Sequence, residues 1–438
     1  MRVTYDATYA TRGKSGIPRD AKSLISLFSK MNLDSLTLIF FAKDVLPRAR
    51  KNEFLSSNRA RVIGSAFRSD VPSRNLLPSK IRAWLFAKEI LTARTRISTL
   101  ILNNEEKKSA IESLELENIP LTDFDIQVAS LNYMSRLARP AILSKFSLRL
   151  HKTDLFIQQQ ADPIRINRNI AHVLRLHDIL PITHPQYFES LSVQVFNKSF
   201  FGMLDRNKYF VMDSESAANQ LAELFNLKER VFVVPPLVKQ LGKSVASKKK
   251  QILIVNTLEP RKRTQNAIDG FLFAKNSKLI DPEWKLRIAG SHGWLQDRLL
   301  EDLKEKRFGE DVLYSELPTD SLLSRLYDES EIVLSISAAE GFGLPPLEGM
   351  HFGCLPVVSK IPTHVEHVNK NGVFIEGIKP EEIALGLKSA IEILDNRGQE
   401  VREELRRYVK EKFGEDILIE KWATTLQTIY NLHNGRKI

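Results

Sequence analysis

The chain is poor in cysteine: Cys354 is the only one among 438 residues. That excludes an intramolecular disulfide and any metal site built from several cysteines, and it suits a reducing compartment. Its setting, FGCLPVV, reads as a small buried residue between a helix end and a strand. Long apolar runs are also missing. The longest, LTLIFFA from Leu36 to Ala42, falls far short of the roughly 20 residues that cross a bilayer. The opening MRVTYDATYA lacks the continuous apolar core of a secretion signal. A cytoplasmic location is therefore expected, with peripheral contact at the inner face of the plasma membrane. No Asp-x-Asp pair stands at the end of a strand-like run, so no metal site is expected.

Acidic residues are outnumbered, 53 against 64 Lys and Arg, for a net charge of +11. Most of the excess is local. Between Val45 and Ser98 there are 12 basic residues against Glu53, Asp70 and Glu89, interleaved with Phe54, Phe67, Trp84 and Phe86. Such a block suits an anionic partner and is expected to dock on an anionic membrane surface through residues 45–98; a solvated basic face is the alternative. Nucleic acid is not expected as a partner, because no helix-turn-helix, zinc or single-strand-binding signature accompanies the charge. The remaining composition, 43% apolar and 27% charged, is that of a folded globular chain, and the length implies two domains.

The second half alternates two periodicities. QILIVNTL, WKLRIAG, DVLYSEL, EIVLSIS, LPVVS and GVFIEG read as buried strands, separated by helical stretches such as TQNAIDGFLFAK and TDSLLSRLYDES. That order predicts βαβ crossovers and a doubly wound parallel sheet. RVTYDAT, SLTLIFFA, DLFIQQ, HVLRLHD, KYFVMDS and RVFVVPP repeat the grammar in the first half. The polar run LVKQLGKSVASKKK reads as a linker. The expected division is a Rossmann-like domain over 1–237, a linker over 238–250, a second Rossmann-like domain over 251–414, and a C-terminal helical segment over 415–438 that can belong to either domain, with packing back on the first as one arrangement.

Ligands of open α/β sheets bind beyond the carboxyl ends of the strands. Glu259-Pro260-Arg261-Lys262, Gly290-Ser291-His292, Leu317-Pro318 and the stretch SISAAEGFGLPPLEGM fall there, as do Gly16 and His177-Asp178 in the first half. In SISAAEGFGLPPLEGM the glycines and prolines break the chain before Leu347, giving strand, glycine turn, then short helix. Glu340 lies on the turn and Glu348 one turn into the helix. Free amides at such a helix start suit a phosphate, and a carboxylate beyond it can accept from a ribose diol.

Taken together, TLEPRKRTQNAIDGF, RIAGSHGWLQDRLLEDL, AAEGFGLPPLEGMHFGCLPVVSKIPTHVEHV, SGIPR and VLRLHDILPITHPQYF resemble the retaining glycosyltransferases of family 4, particularly mannosyltransferase-like members. The resemblance implies a GT-B fold: two Rossmann-like domains facing across a cleft. It implies transfer of a hexose, with mannose favoured, from a nucleoside-diphosphate sugar to a glycan or lipid-linked saccharide in cell-surface polysaccharide assembly. A catalytically silent sugar-nucleotide-binding protein is the alternative. By the same resemblance Arg261 and Lys262 bind the diphosphate, Glu340 lies near the transferred sugar, Glu348 holds the ribose, and His177 contacts sugar or acceptor. Gly341, Phe342, Gly343, Leu344, Gly290, Leu317 and Gly16 complete the expected donor-binding set, with Asp178, Ser291 and His292 as lesser candidates. The sugar nucleotide is a co-substrate, GDP-mannose ahead of a UDP-sugar, and no metal or other cofactor is implied. Where many relatives carry glycine and a further basic residue near the first strand, this chain has Asn256-Thr257.

Overall fold

A computed structural model describes residues 1–11, 16–40, 96–97, 99–114, 124–129, 147–159, 161, 164–204, 208–238 and 247–435. Nearly all of the basic block, including Trp84 and Phe86, lies outside these residues, as does the greater part of the 238–250 stretch. The chain forms two large sheets. The first contains β1 (Arg2–Asp6), β2 (Ser35–Phe40), β4 (Thr99–Ile101), β5 (Phe124–Ala129), β7 (Leu155–Gln158), β8 (Ala171–Leu176), β9 (Lys208–Met212) and β10 (Val231–Val233). Its order is β10-β9-β8-β7-β1-β2-β5-β4; every pairing is parallel except β4 with β5. Two short strands, β3 (Arg96–Ile97) and β6 (Ser147–Leu148), pair separately.

The second sheet is wholly parallel: β11 (Lys249–Val255), β12 (Lys285–Gly290), β13 (Val312–Glu316), β14 (Ser330–Ser335), β15 (Leu355–Ser359) and β16 (Val373–Ile375), in the order β13-β12-β11-β14-β15-β16. Strands covered by helices on both faces need apolar side chains on both, and β15 is buried at all five positions. β11 begins at Lys249, inside the polar stretch read as a linker. Lys249 and Lys250 tolerate the strand because their ammonium groups reach Glu329 (2.9 Å) and Asp281 and Glu283 (2.8 and 2.7 Å) at its solvated end.

The helix Pro380–Phe413 lies against the second domain and is kinked at Arg397, whose φ and ψ are −139° and 23°. After Gly414 the helix Glu415–His433 crosses to the first domain, where Leu418, Trp422, Leu426 and Ile429 join its core. Trp422 meets Phe28 edge-on at 5.1 Å, and the Arg175 guanidinium lies over its ring at 5.5 Å. The last helix thereby ties the two domains together by packing as well as by the chain. Among the described residues no helix is long and apolar enough to cross a membrane.

Candidate functional site

β11 and β14 are neighbours at the centre of the second sheet, with β12 leaving on one side and β15 on the other. This is a topological switch point, where loops part and leave a crevice at the strand ends. The turn Pro260–Lys262 follows β11, and the turn Ser337–Gly343 follows β14. The Ala338 N–H donates to the Arg261 carbonyl at 2.7 Å, so the backbone itself joins the two turns. Residues 79 positions apart are thereby placed side by side.

Glu340 is the centre of this junction. Its Oε1 accepts from Lys262 Nζ and Ser337 Oγ, both at 2.5 Å, and its Oε2 accepts from Arg261 Nη1 at 2.7 Å. Arg261 continues to Glu259 at 2.6 Å and to the Ala339 carbonyl at 2.9 Å. Burial alone would raise the Glu340 pKa, but Lys262 and Arg261 hold it well below the usual carboxylate range. Glu259, by contrast, is pushed up by burial, with Arg261 and Lys262 opposing. Two cations and two carboxylates thus form one interlocked group, and Arg261 Nε meets no hydrogen-bond partner among the described residues.

The glycine turn lies directly against the first domain. A Cβ on Gly341 would stand 2.7 Å from the His177 carbonyl oxygen and 2.9 Å from Asp178 Cβ, so only glycine allows this approach. Gly343, at φ +82°, precedes the helix Leu344–His351. Phe342 anchors the turn from behind: its ring is buried, 4.1 Å from His367 and 5.7 Å from Phe413. Its side chain is therefore committed to the core, and its amide is the group it can offer a ligand. Leu344, half-buried, opens the helix.

Glu348 is buried on that helix, and both its oxygens are occupied. Tyr327 OH donates to Oε2 at 2.8 Å, and Arg19 Nη1 donates to Oε1 at 3.0 Å. Arg19 comes from the first domain, 329 residues away in sequence, and also approaches Asp320 at 3.8 Å. The carboxylate expected to hold a ribose is thus bridged across the cleft by the arginine that closes the SGIPR stretch, a contact no sequence pattern announces.

His177 stands at the end of β8 in a carboxylate-lined network. Its Nδ1 donates to Asp213 Oδ2 at 2.9 Å, and its Nε2 lies 3.2 Å from Gln159 Nε2. Gln159 is fixed in orientation, because its Nε2 donates to Asp20 Oδ2 at 2.8 Å while its Oε1 accepts from Tyr5 OH at 2.7 Å. The remaining amide proton of Gln159 faces His177 Nε2, an arrangement that suits a proton on Nδ1. Burial acts to lower the imidazole pKa, but Asp213 and Asp20 raise it above its ordinary value. Behind the histidine, Arg175 is fully buried, 2.7 Å from Asp213 and 3.4 Å from Asp20. Burial raises the Asp178 carboxyl, with Arg261 opposing from across the cleft.

The outlying candidates are placed less closely. The Gly290 carbonyl accepts from Leu317 N at 2.9 Å and Tyr314 OH at 3.2 Å. Leu317 is exposed, at φ +45°. Ser291 Oγ is 3.3 Å from Thr257 Oγ1, and the exposed His292 pairs with Asp297 at 2.9 Å. Gly16 begins the first helix, and among the described residues nothing lies near enough to exclude a side chain there. Farther along the rim, Trp294 donates from Nε1 to the Tyr187 carbonyl at 2.8 Å and stacks on Phe188, again joining the two domains. Among the described residues no group of three or more His, Cys, Asp or Glu is placed to hold a metal.

Two full-length sheets meeting at a cleft, with cations, glycine turn and carboxylates at the strand ends, define the GT-B class. The same fold is found in TarM, with a TM-score of 0.59 and 14% identity over 98% of both chains. It is found also in Anabaena HepE in complex with UDP and glucose, with a TM-score of 0.56 and 15% identity over 98% of this chain and 100% of that one. Residues 239–412 match the model of the family described as Glycosyl transferases group 1. The chain is similar to O-antigen chain mannosyltransferase B of Escherichia coli, 27% identical over 230 residues, 48% of this chain and 58% of the relative. It is also similar to GDP-mannose:cellobiosyl-diphosphopolyprenol alpha-mannosyltransferase of Xanthomonas oryzae pv. oryzae (strain PXO99A), 31% identical over 93 residues, 21% of this chain and 24% of the relative. The matched segments therefore span less than two thirds of these relatives.

Proposed function

We propose that the protein is a retaining hexosyltransferase. It moves mannose from GDP-mannose, in preference to a UDP-sugar, to a glycan or lipid-linked saccharide acceptor in cell-surface polysaccharide assembly. The carrying observation is the Glu340 junction: a buried ionised carboxylate fixed by Arg261, Lys262 and Ser337 at the switch point of the donor domain. A leaving nucleoside diphosphate develops charge that fixed cations and amides stabilise without any proton transfer. Arg261 and Lys262 supply the cations, and the amides of Gly341, Phe342 and Gly343 supply the donors. Mannose is favoured because both curated relatives described above are named as mannosyltransferases, one of them with GDP-mannose as its donor.

The test is a thermal-shift panel of GDP-mannose, UDP-glucose, UDP-N-acetylglucosamine and ADP-glucose, since a ligand that binds the folded state raises its melting temperature. Stabilisation by GDP-mannose above the rest is expected. A preference for a UDP-sugar would overturn the mannose assignment, and no shift with any member would overturn the donor site itself.

The two glutamates are expected to separate in their effects. Glu348→Gln replaces a carboxylate acceptor by one carbonyl oxygen at the ribose position, so nucleotide affinity falls about tenfold, by the usual magnitude of a hydrogen bond to a charged group. Glu340→Gln removes the charge beside the transferred sugar, and turnover falls about 100-fold or more with nucleotide still bound. Isothermal titration with GDP alongside steady-state turnover measures both, and equal losses of affinity would contradict the division of roles.

Contact of the 45–98 block with an anionic membrane belongs to the same reading. Charge reversal of Arg74, Lys80, Arg82 and Lys88 is expected to abolish co-sedimentation with phosphatidylglycerol vesicles at low salt and to spare nucleotide binding. Undiminished sedimentation would remove the membrane from the proposal.

A further inference from the structure

The glycine turn is held by three side chains acting on three successive carbonyls. Thr363 Oγ1 donates to the Glu340 carbonyl at 2.8 Å, Ser214 Oγ to that of Gly341 at 2.8 Å, and His367 Nδ1 to that of Phe342 at 2.7 Å. Thr363 and His367 lie on the helix Pro362–Val368 of the second domain, whereas Ser214 precedes the helix Glu215–Phe225 of the first. These two helices are themselves joined. Glu366, between Thr363 and His367 in the helix, accepts from the backbone N–H of Glu215 at 2.8 Å and of Ser216 at 2.9 Å. All three donors therefore come from one interlocked pair of helix ends.

A trans peptide sets each carbonyl opposite the N–H that follows it. Fixing the carbonyls of Glu340, Gly341 and Phe342 toward this helix pair turns the N–H groups of Gly341, Phe342 and Gly343 away from it. Among the described residues no acceptor meets these three N–H groups. The charges of Arg261 and Lys262 are already balanced by Glu259 and Glu340, so the orientation of the amides matters to an incoming anion. Two of the three carbonyl anchors belong to the donor domain; the middle one does not.

We propose that Ser214 is a positioning residue supplied by the acceptor domain, whose hydroxyl fixes the Gly341–Phe342 peptide across the cleft so that the amide cradle is complete only when the domains are closed. This rests on the glycosyltransferase reading and specifies how its acceptor domain takes part in donor handling. The exchange is reciprocal: the first domain gives a hydroxyl to the turn, and the second gives the Glu366 carboxylate to the first domain's helix. Ser214 Oγ also accepts from Ala217 N at 3.2 Å as a helix cap, so one oxygen sits in both the helix start and the cradle. The fully buried setting of Ser214 keeps water from substituting for its donation.

The experiment compares wild type, Ser214→Ala, Ser214→Thr and Glu366→Gln. For each, affinities for nucleoside monophosphate and diphosphate (GMP and GDP, UMP and UDP) are measured with turnover of the matching sugar nucleotide. Ser214→Ala is expected to lower kcat about 10- to 100-fold, less than the loss from deleting a donor outright because the amide is misaligned rather than removed. It is expected to weaken the diphosphate more than the monophosphate, whereas loss of the helix cap alone would leave the ratio of the two affinities unchanged. Ser214→Thr, which keeps the hydroxyl, restores the wild-type ratio, and Glu366→Gln shifts kcat in the same direction as Ser214→Ala. A wild type that binds neither diphosphate would count against the transferase reading. A wild type that binds one, with Ser214→Ala unchanged in kcat and in the affinity ratio, would overturn the role of Ser214 and leave that reading standing.

Discussion

Arg261→Ala is expected to lower sugar-nucleotide turnover about 1000-fold and at the same time to destabilise the second domain by about 3–5 kcal/mol, the usual cost of breaking a buried ion pair from one side. The two effects have one cause. Arg261 is the only described group that ion-pairs with Glu259, and it also holds Glu340; its removal strands one buried carboxylate and loosens another. Lys262→Ala leaves Glu340 held by Arg261 and Ser337. It is therefore expected to cost about 100-fold in turnover with a smaller change in folding. Urea unfolding beside steady-state turnover, corrected for folded fraction, tells the two variants apart. Turnover at the wild-type rate by the double alanine variant would remove both residues from the diphosphate site.

The second large effect is expected at Arg175, remote from the chemistry in sequence motif yet directly behind His177. Arg175 is wholly buried between Asp20 and Asp213, with its Nη1 donating to the Met212 and Val234 carbonyls at 3.3 and 2.5 Å. Arg175→Met leaves two buried carboxylates without their guanidinium, with only Gln159 and His177 hydrogen-bonded to them among the described residues, and a loss of about 3–5 kcal/mol is expected in urea unfolding. Pairing it with Asp213→Asn, which removes one stranded charge, is expected to return part of that loss, a coupling that a double-mutant cycle measures. A loss below about 1 kcal/mol would show that the aspartates discharge or rehydrate, since the charged triad is the basis of the expected loss. Asp213 also receives the His177 Nδ1 proton, so this stability network and the cleft share a carboxylate.

Much of the second domain's side of the cleft could be read from local pattern. The run EIVLSIS followed by a glycine turn and LPPLEGM foretold a strand, a break and a short helix. The structure has β14 over Ser330–Ser335, Gly343 at positive φ, and the helix Leu344–His351. Glu340 on the turn and Glu348 on the helix follow from that order alone. What each carboxylate touches does not. Glu340 is expected near the transferred sugar, and the sequence does not show that Lys262, Ser337 and Arg261 engage both its oxygens. Glu348 is expected to hold the ribose diol, and the sequence does not show that Tyr327 and Arg19 engage it. His177 stands at its expected strand end, but Gln159 and Asp213, which meet its two ring nitrogens, carried no motif that pointed to them.

The sequence by itself determined the alternation of buried strands with amphipathic helices, the glycine turn, and the basic and acidic residues at the strand ends. Those features repeat every two or 3.6 residues, or sit within one turn of the chain, and local backbone geometry is enough to specify them. Only the tertiary structure decided the strand order that sets β11 beside β14, and the crossing of the last helix into the first domain's core. It alone decided the contacts of Arg19 with Glu348, Ser214 with Gly341 and Glu366 with Ser216, which join residues 329, 127 and 150 positions apart. No periodicity connects residues at such separations; their meeting depends on how two independently packed sheets dock, and that is settled by the shape and charge of whole surfaces.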